Sequence, residues 1–292
     1  VATITFSAVG LISALFLIFF ATPFTKYIVE NEKAYPAVIA IAPCIFFGAL
    51  LSVYRGYFEG LRNMFPTAIS QIIESLIKLL AGLGFAYGAM VYAQNSFEKT
   101  GKVLGVFCET LEQAQYIAIP YVAAAAIAGV TLSSAVALLY LMIRYHFFKD
   151  GITKEMLKKN PITDRKRVLL KNLIGIVIPI AIGSIITNLT SLIDLGTIIR
   201  CLNTTISNNP DYFTQKYQNI LDNNTTLSML PNFIYGSFTG LAITVFNLVP
   251  SMTNMFGKGI LPNLAEAWAI RDKDRVNKNI HSVIGVTGII AI

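Results

Sequence analysis

The chain has 292 residues, 54% hydrophobic and only 13% charged, with a formal net charge of +7 and a mean hydropathy of +0.61. A soluble domain carries about 25% charged residues, so an ordinary soluble enzyme, a disordered tail and a disulfide scaffold are excluded. The composition predicts an all-α, polytopic transmembrane helical bundle.

In chain order, charge-free stretches place the first two spans at residues 1–25 and 34–54, with Cys44 in the second. The third runs from about residue 66 to 92 and contains Glu74 and Lys78. Drawn on a helix, Thr67, Ser70, Gln71, Glu74, Ser75 and Lys78 share one ~140° arc. Glu74 and Lys78 stand four residues apart with the acid first, the better order for a helix pair. A charge in hydrocarbon costs ~3 kcal/mol on insertion scales, so this arc faces a partner or a watery cavity. It reads either as a cavity wall or as an internally neutralised structural pair.

The fourth span lies within 113–143. Residues 149–171 follow, a charge-rich stretch with Pro161 and a Thr163-Asp164 turn signal. They are expected to form a cytoplasmic linker between the end of an N-terminal helical lobe (1–148, four spans) and the start of a C-terminal one (172–292, three spans). The linker either fixes topology alone or also meets lipid headgroups. The fifth span lies within 172–201, where Ser184, Thr187, Thr190, Ser191, Asp194 and Thr197 share a ~140° arc beyond a kink expected at Pro179. Asp194 is a candidate ion or proton site, or a carboxylate near the outer interface. The Asn- and Thr-rich loop 203–222 follows, and the glycosylation sequons at Asn203 and Asn223 read as accidents of composition.

On the sixth span, within 232–265, Gly236, Gly240, Thr244, Asn247, Ser251, Asn254 and Lys258 lie within ~80°, a phase that Pro250 should disturb. Small and amide residues on one seam read more readily as helix-packing contacts than as ligand contacts, and Lys258 can snorkel. A seventh span starts near residue 279 and is incomplete. The chain opens and stops inside apolar runs, so it is expected to be a fragment of something longer. No weak alternation of the membrane β-barrel kind occurs.

Loops after the even-numbered spans hold fifteen Lys and Arg against six in the alternate loops, which puts the even-span loops in the cytoplasm. The basic excess is thus topological, and a nucleic-acid role is unsupported. Enzyme signatures are nearly absent: there is no GxxxxGK[ST]. Asp272-Lys273-Asp274 spells DxD inside a charged loop, and His146 and His281 stand alone. No metal site, cofactor or catalytic residue is expected. A bridge between Cys108 and Cys201 is not expected either.

The stretch from Tyr54 to Glu74, YRGYFEGLRNMFPTAISQIIE, resembles the cytoplasmic turn and following helix of the polysaccharide-biosynthesis flippases related to stage V sporulation protein B. These belong with the lipid II flippases and the multidrug and toxin extruders in one exporter superfamily. Tyr235 to Gly240, Asn247 to Pro250 and Leu261-Pro262 resemble the entry helices of that family's second lobe. The resemblance reads as running the full length, with Arg55 to Gln71 its most specific part. The family often has Gln where this chain has Glu59 and Arg62, two charges placed to pair locally.

The resemblance implies a two-lobe exporter of about fourteen spans, of which this chain holds the third to the ninth. It implies a flippase that moves a polyprenyl-diphosphate-linked sugar across the cytoplasmic membrane by alternating access, for cell-wall or polysaccharide biosynthesis. Arg55, Arg62, Lys78 and Lys258 are candidates for the diphosphate, and Gln71, Glu74, Asn247 and Asn254 for the sugar-bearing headgroup. Glu74 and Asp194 are candidates for coupling to Na⁺ or H⁺. The alternatives are a cation-coupled multidrug exporter of the same superfamily and a non-transport membrane scaffold.

Overall fold

The computed structural model describes residues 2–147, 165–218 and 227–291, without the side chains of 249, 252, 254–256, 258, 290 and 291. Six of its helical stretches are long and apolar enough to cross a membrane: Ala2–Ile28, Glu32–Gly60, Met64–Thr100, Leu111–Phe147, Lys166–Asn208 and Leu227–Phe246. The chain is an all-α, multi-pass membrane protein.

Helix α1 (Ala2–Pro23) passes through Pro23 into a π-turn, Phe24–Ile28. The hydroxyl of Thr25 donates to the carbonyls of Ala21 and Thr22 there, a back-bond to its own helix where the helix widens. Asn31 caps the short 3₁₀ turn Glu32–Ala34 that leads into α2 (Tyr35–Gly60). The turn 61–63 reverses the chain through Arg62, whose φ of 60° lies in the left-handed region.

Helix α3 (Met64–Thr100) tolerates Pro66 because a proline in the first turn removes no helical hydrogen bond. It ends at Gly101, whose φ of 64° suits a glycine C-cap. A two-stranded hairpin follows, β1 (Lys102–Val103) against β2 (Val106–Phe107), its reversal made by Leu104 and Gly105 at positive φ. Val103 and Cys108 are buried with Ala93 of α3 and with Ala114 and Ala118 of α4 (Leu111–Phe147). Thr110 caps α4: its hydroxyl accepts from the amide of Gln113, whose side chain reaches back to the amide of Glu109.

Helix α5 (Lys166–Asn208) starts inside the stretch expected as linker, whose residues 149–164 lie outside the described ones. After α6 (Pro210–Lys216), the expected sixth span is not one rod. It is α7 (Leu230–Ser237), a π-turn at Phe238–Ala242 and α8 (Ile243–Phe246), with a break at Asn247 before α9 (Leu248–Ala269). The ideal phase behind the seam from Gly236 to Lys258 is therefore interrupted twice, by the π-turn and by the chain's approach to Pro250. The expected seventh span corresponds to α10 (Lys273–Ala291), which is not among the helices long and apolar enough to cross.

The residues cluster into two units: Val1–Phe58 with Phe65–Arg200, and Glu59–Met64 with Cys201–Ile292. In the first, Leu51 and Phe58 of α2 are buried against Ala137, Leu138 and Leu141 of α4. Helices α3 and α4 touch backbone to backbone at Gly82 and Gly129, where a Cβ on Gly129 would come within 2.5 Å of the Gly82 nitrogen. Such close approach is how membrane helices gain packing energy without a hydrophobic drive between them. In the second unit, α9 and α10 pack as a hairpin across a turn at 270–272.

Candidate functional site

Helices α2, α3 and α4 bring their polar side chains together around Glu74. It stands ten residues into α3, ~15 Å along the helix from the 61–63 turn. The sequence reading put Arg55 in the loop after a span ending at residue 54. In the structure it lies inside α2, because the helix continues past the apolar run to Gly60.

From there the Arg55 guanidinium donates through Nη2 to Glu74 Oε2 at 2.8 Å and through Nε to Ser70 Oγ at 2.9 Å. The Ser70 hydroxyl in turn donates a hydrogen bond to the Thr67 carbonyl at 2.7 Å. On the other carboxylate oxygen, Ser134 of α4 donates at 3.5 Å, and Cys44 Sγ of α2 lies 3.4 Å from the Ser134 hydroxyl. The network closes on itself across the three helices.

Lys78 Nζ is 3.8 Å from Glu74 Oε1. The i, i+4 pair read from the sequence is thus the looser contact, and Arg55 is the main partner of the acid. A planar guanidinium holds a carboxylate and a hydroxyl at once in a fixed fork, whereas an ammonium is a point charge with rotating donors. Exposure separates the two cations: the Arg55 and Glu74 side chains are each 19% exposed, whereas Lys78 is 48% exposed. Two cations face one carboxylate, and the surplus positive charge is the one that remains accessible, on Lys78. Gln71 is half-buried on the same helix, one turn before Glu74's level. Thr67 Oγ1 is buried with no hydrogen-bond partner among the described residues.

Other candidates stand apart from this cluster. Asp194 is exposed on α5, with no ion pair among the described residues. Around it the hydroxyls of Thr187 and Thr190 donate to the carbonyls of Gly183 and Ile186, four residues back on their own helix. Asn247 is exposed at the helix break, while the side chains of Asn254 and Lys258 lie outside the described residues. Arg62 does not pair with Glu59. In the second unit its guanidinium lies 3.1 Å from Glu266 Oε2, and Arg275 binds the same oxygen at 3.1 Å. The DxD run has a structural use: the Asp272 carboxylate accepts from the Arg275 amide at 3.0 Å and caps α10.

Sequence reasoning missed Ser134, Cys44 and the reach of Arg55 across to Glu74. A signal existed for the last of these. No helix breaker stands between Gly48 and Gly56, so α2 had no cause to stop at Tyr54.

Over 73 residues the chain is 33% identical to stage V sporulation protein B of Bacillus subtilis (strain 168), which covers 24% of this chain and 14% of that protein. The similarity found is narrower than the full-length resemblance read from the sequence. No protein-family model matches the chain. No solved structure is found to be similar to it.

Proposed function

We propose that this chain is part of a secondary transporter that moves a lipid-linked oligosaccharide or lipid II type precursor across the membrane by alternating access. One observation carries the reading: a three-helix polar cluster inside membrane spans that holds two cations against one carboxylate. Intramembrane charge is expensive and marks a substrate or ion path by default. A surplus positive charge suits a diphosphate, which must be shielded from hydrocarbon while its lipid tail stays in the bilayer.

In this reading Arg55 holds Glu74 in place and Lys78 meets the phosphate. Gln71 and Thr67 lie on the same face for sugar hydroxyls. Coupling to Na⁺ or H⁺ falls to Asp194 rather than Glu74, both of whose oxygens are already engaged. The two lobes would be residues 1–148 and 172–292, joined by the linker 149–171, with the loops after even-numbered spans in the cytoplasm. The partial similarity to stage V sporulation protein B is consistent with this assignment and does not name the sugar or the lipid.

A second reading, cation-coupled export of organic cations, is favoured by one feature, the exposed carboxylate of Asp194 on an apolar helix, without an ion pair among the described residues. The intact protein in proteoliposomes separates the two. Labelled polyprenyl-diphosphate sugar is followed across the bilayer with and without an imposed ion gradient, alongside efflux of a cationic dye. Sugar-lipid movement without dye efflux is the expected result. Dye efflux alone would transfer the assignment to drug export, and movement of neither would leave a scaffold.

A further inference from the structure

A cavity of about 520 Å³ opens at one end of the first unit, between the first turns of α1, the last turns of α2 and α4, and the second turn of α5; Phe6, Tyr54, Gly56, Tyr57, Tyr145 and Leu173 are among its walls. It is separate from the Glu74 cluster. The ring of Tyr145 meets Tyr54 and Tyr57 nearly edge-on, with centroids 5.7 and 5.1 Å away. Edge-to-face packing fixes these rings. The result is a mostly apolar slot with three tyrosines among its walls, an amphipathic lining that suits the level of lipid headgroups.

All four helices are membrane-spanning stretches, so the groove lies within reach of lipid. The chain next to its walls carries more basic residues than acidic ones, the acids being Glu59 and Asp164. Arg165, Lys166, Arg167 and Lys171 precede Leu173 along the start of α5 and are exposed, and Arg144 precedes Tyr145. From Arg165 onward the next acidic residue is Asp194. These cations crowd the positive end of the α5 dipole, an arrangement that a bound anion relieves.

We infer that the cavity binds an anionic phospholipid of the surrounding leaflet, with an acyl chain against Phe6 and Leu173 and the phosphate between the tyrosine hydroxyls and the basic start of α5. This does not rest on the transport reading.

The test uses the intact protein in mixed liposomes containing photoactivatable phosphatidylglycerol or phosphatidylcholine, with mapping of the labelled peptides. A side chain at Gly56 meets nothing within 4 Å, so Gly56→Leu fills the cavity without moving the backbone. Gly48→Leu, equally open on the same helix and not a wall of the cavity, is the control. Phosphatidylglycerol is expected to label the Tyr54–Tyr57 and Tyr145 peptides about fivefold more than phosphatidylcholine, the advantage of roughly one basic contact. Gly56→Leu should erase that difference and Gly48→Leu should keep it. Equal labelling by the two lipids, or a Gly56→Leu variant labelled like the wild type, would overturn the inference. So would displacement of the phosphatidylglycerol by an unlabelled polyprenyl-diphosphate sugar, since the cavity would then belong to a transported lipid.

Discussion

Glu74 has two cationic neighbours that do different things, and mutation should separate them. Its hydrogen bond to Arg55 is short and mostly enclosed. Arg55→Met therefore leaves a carboxylate with neither its main partner nor enough solvent, and is expected to destabilise the protein by roughly 2–4 kcal/mol. The double variant Arg55→Met/Glu74→Gln should recover most of that loss, because it removes the orphaned charge as well. Lys78→Met breaks only a contact of 3.8 Å on a half-exposed side chain, and stability should stay within about 1 kcal/mol of the wild type. Unfolding in bicelles measures all three. If Lys78 meets substrate, the same Lys78→Met protein, folded normally, no longer moves the sugar-lipid. Unchanged movement would remove Lys78 from the substrate path. Equal losses of stability for Arg55→Met and Lys78→Met would mean that the ion pair is a symmetric triad, not a clamp with one accessible charge.

Between helices, small residues matter by position and not by type. Gly129 and Gly236 look alike in the sequence, each a glycine in an apolar run. A Cβ on Gly129 would strike the backbone of Gly82 at 2.5 Å, whereas one on Gly236 meets nothing within 4 Å. Gly129→Ala should therefore force α3 and α4 apart and lower stability by about 1–3 kcal/mol. Gly236→Ala should be neutral or slightly stabilising. Thermal unfolding in one detergent compares them directly, and an unaffected Gly129→Ala would show that the crossing at Gly82 is looser than the structure has it. Apolar run length made the helices legible, because a span must satisfy its own backbone in lipid. Helix ends were not legible, since a helix keeps adding hydrogen bonds beyond hydrocarbon until a cap stops it. That is why Arg55, Arg144 and Lys171, read as loop cations, sit on helices. The hairpin at 102–107 was missed for want of alternation, as each strand has two residues. Thr110 and Gln113 were a legible capping box that went unused. Of the candidate site, the arc on α3 was legible from its period. The long-range partners Arg55 and Ser134 were not, because no local spacing encodes which helix stands opposite.

Helix α5 is exposed on every side: Ile176, Ile180, Ile185 and Ile186 point in different directions around its axis, and in a membrane they face lipid or other helices. Which ends of the spans meet which side of the membrane is then a question of charge. With fifteen Lys and Arg at the ends of the even-numbered spans and in the segments that follow them, against six at the other ends, the positive-inside bias favours Cys201 outside, with the 61–63 and 270–272 turns inside. The three cysteines are free thiols of unequal reach: Cys201 is exposed, Cys44 half-buried and Cys108 buried. A membrane-impermeant maleimide applied to intact cells should therefore modify Cys201 and spare the other two. In a variant without native cysteines, Asn63→Cys and Lys273→Cys should react only after the membrane is opened, since both stand on the turns with the larger basic share. Modification of Asn63→Cys in intact cells, together with an unmodified Cys201 in the wild-type protein, would invert the topology. The Glu74 cluster, ~15 Å along α3 from the 61–63 turn, would then lie nearer the outside, and a substrate loaded from the cytoplasm would reach it last instead of first.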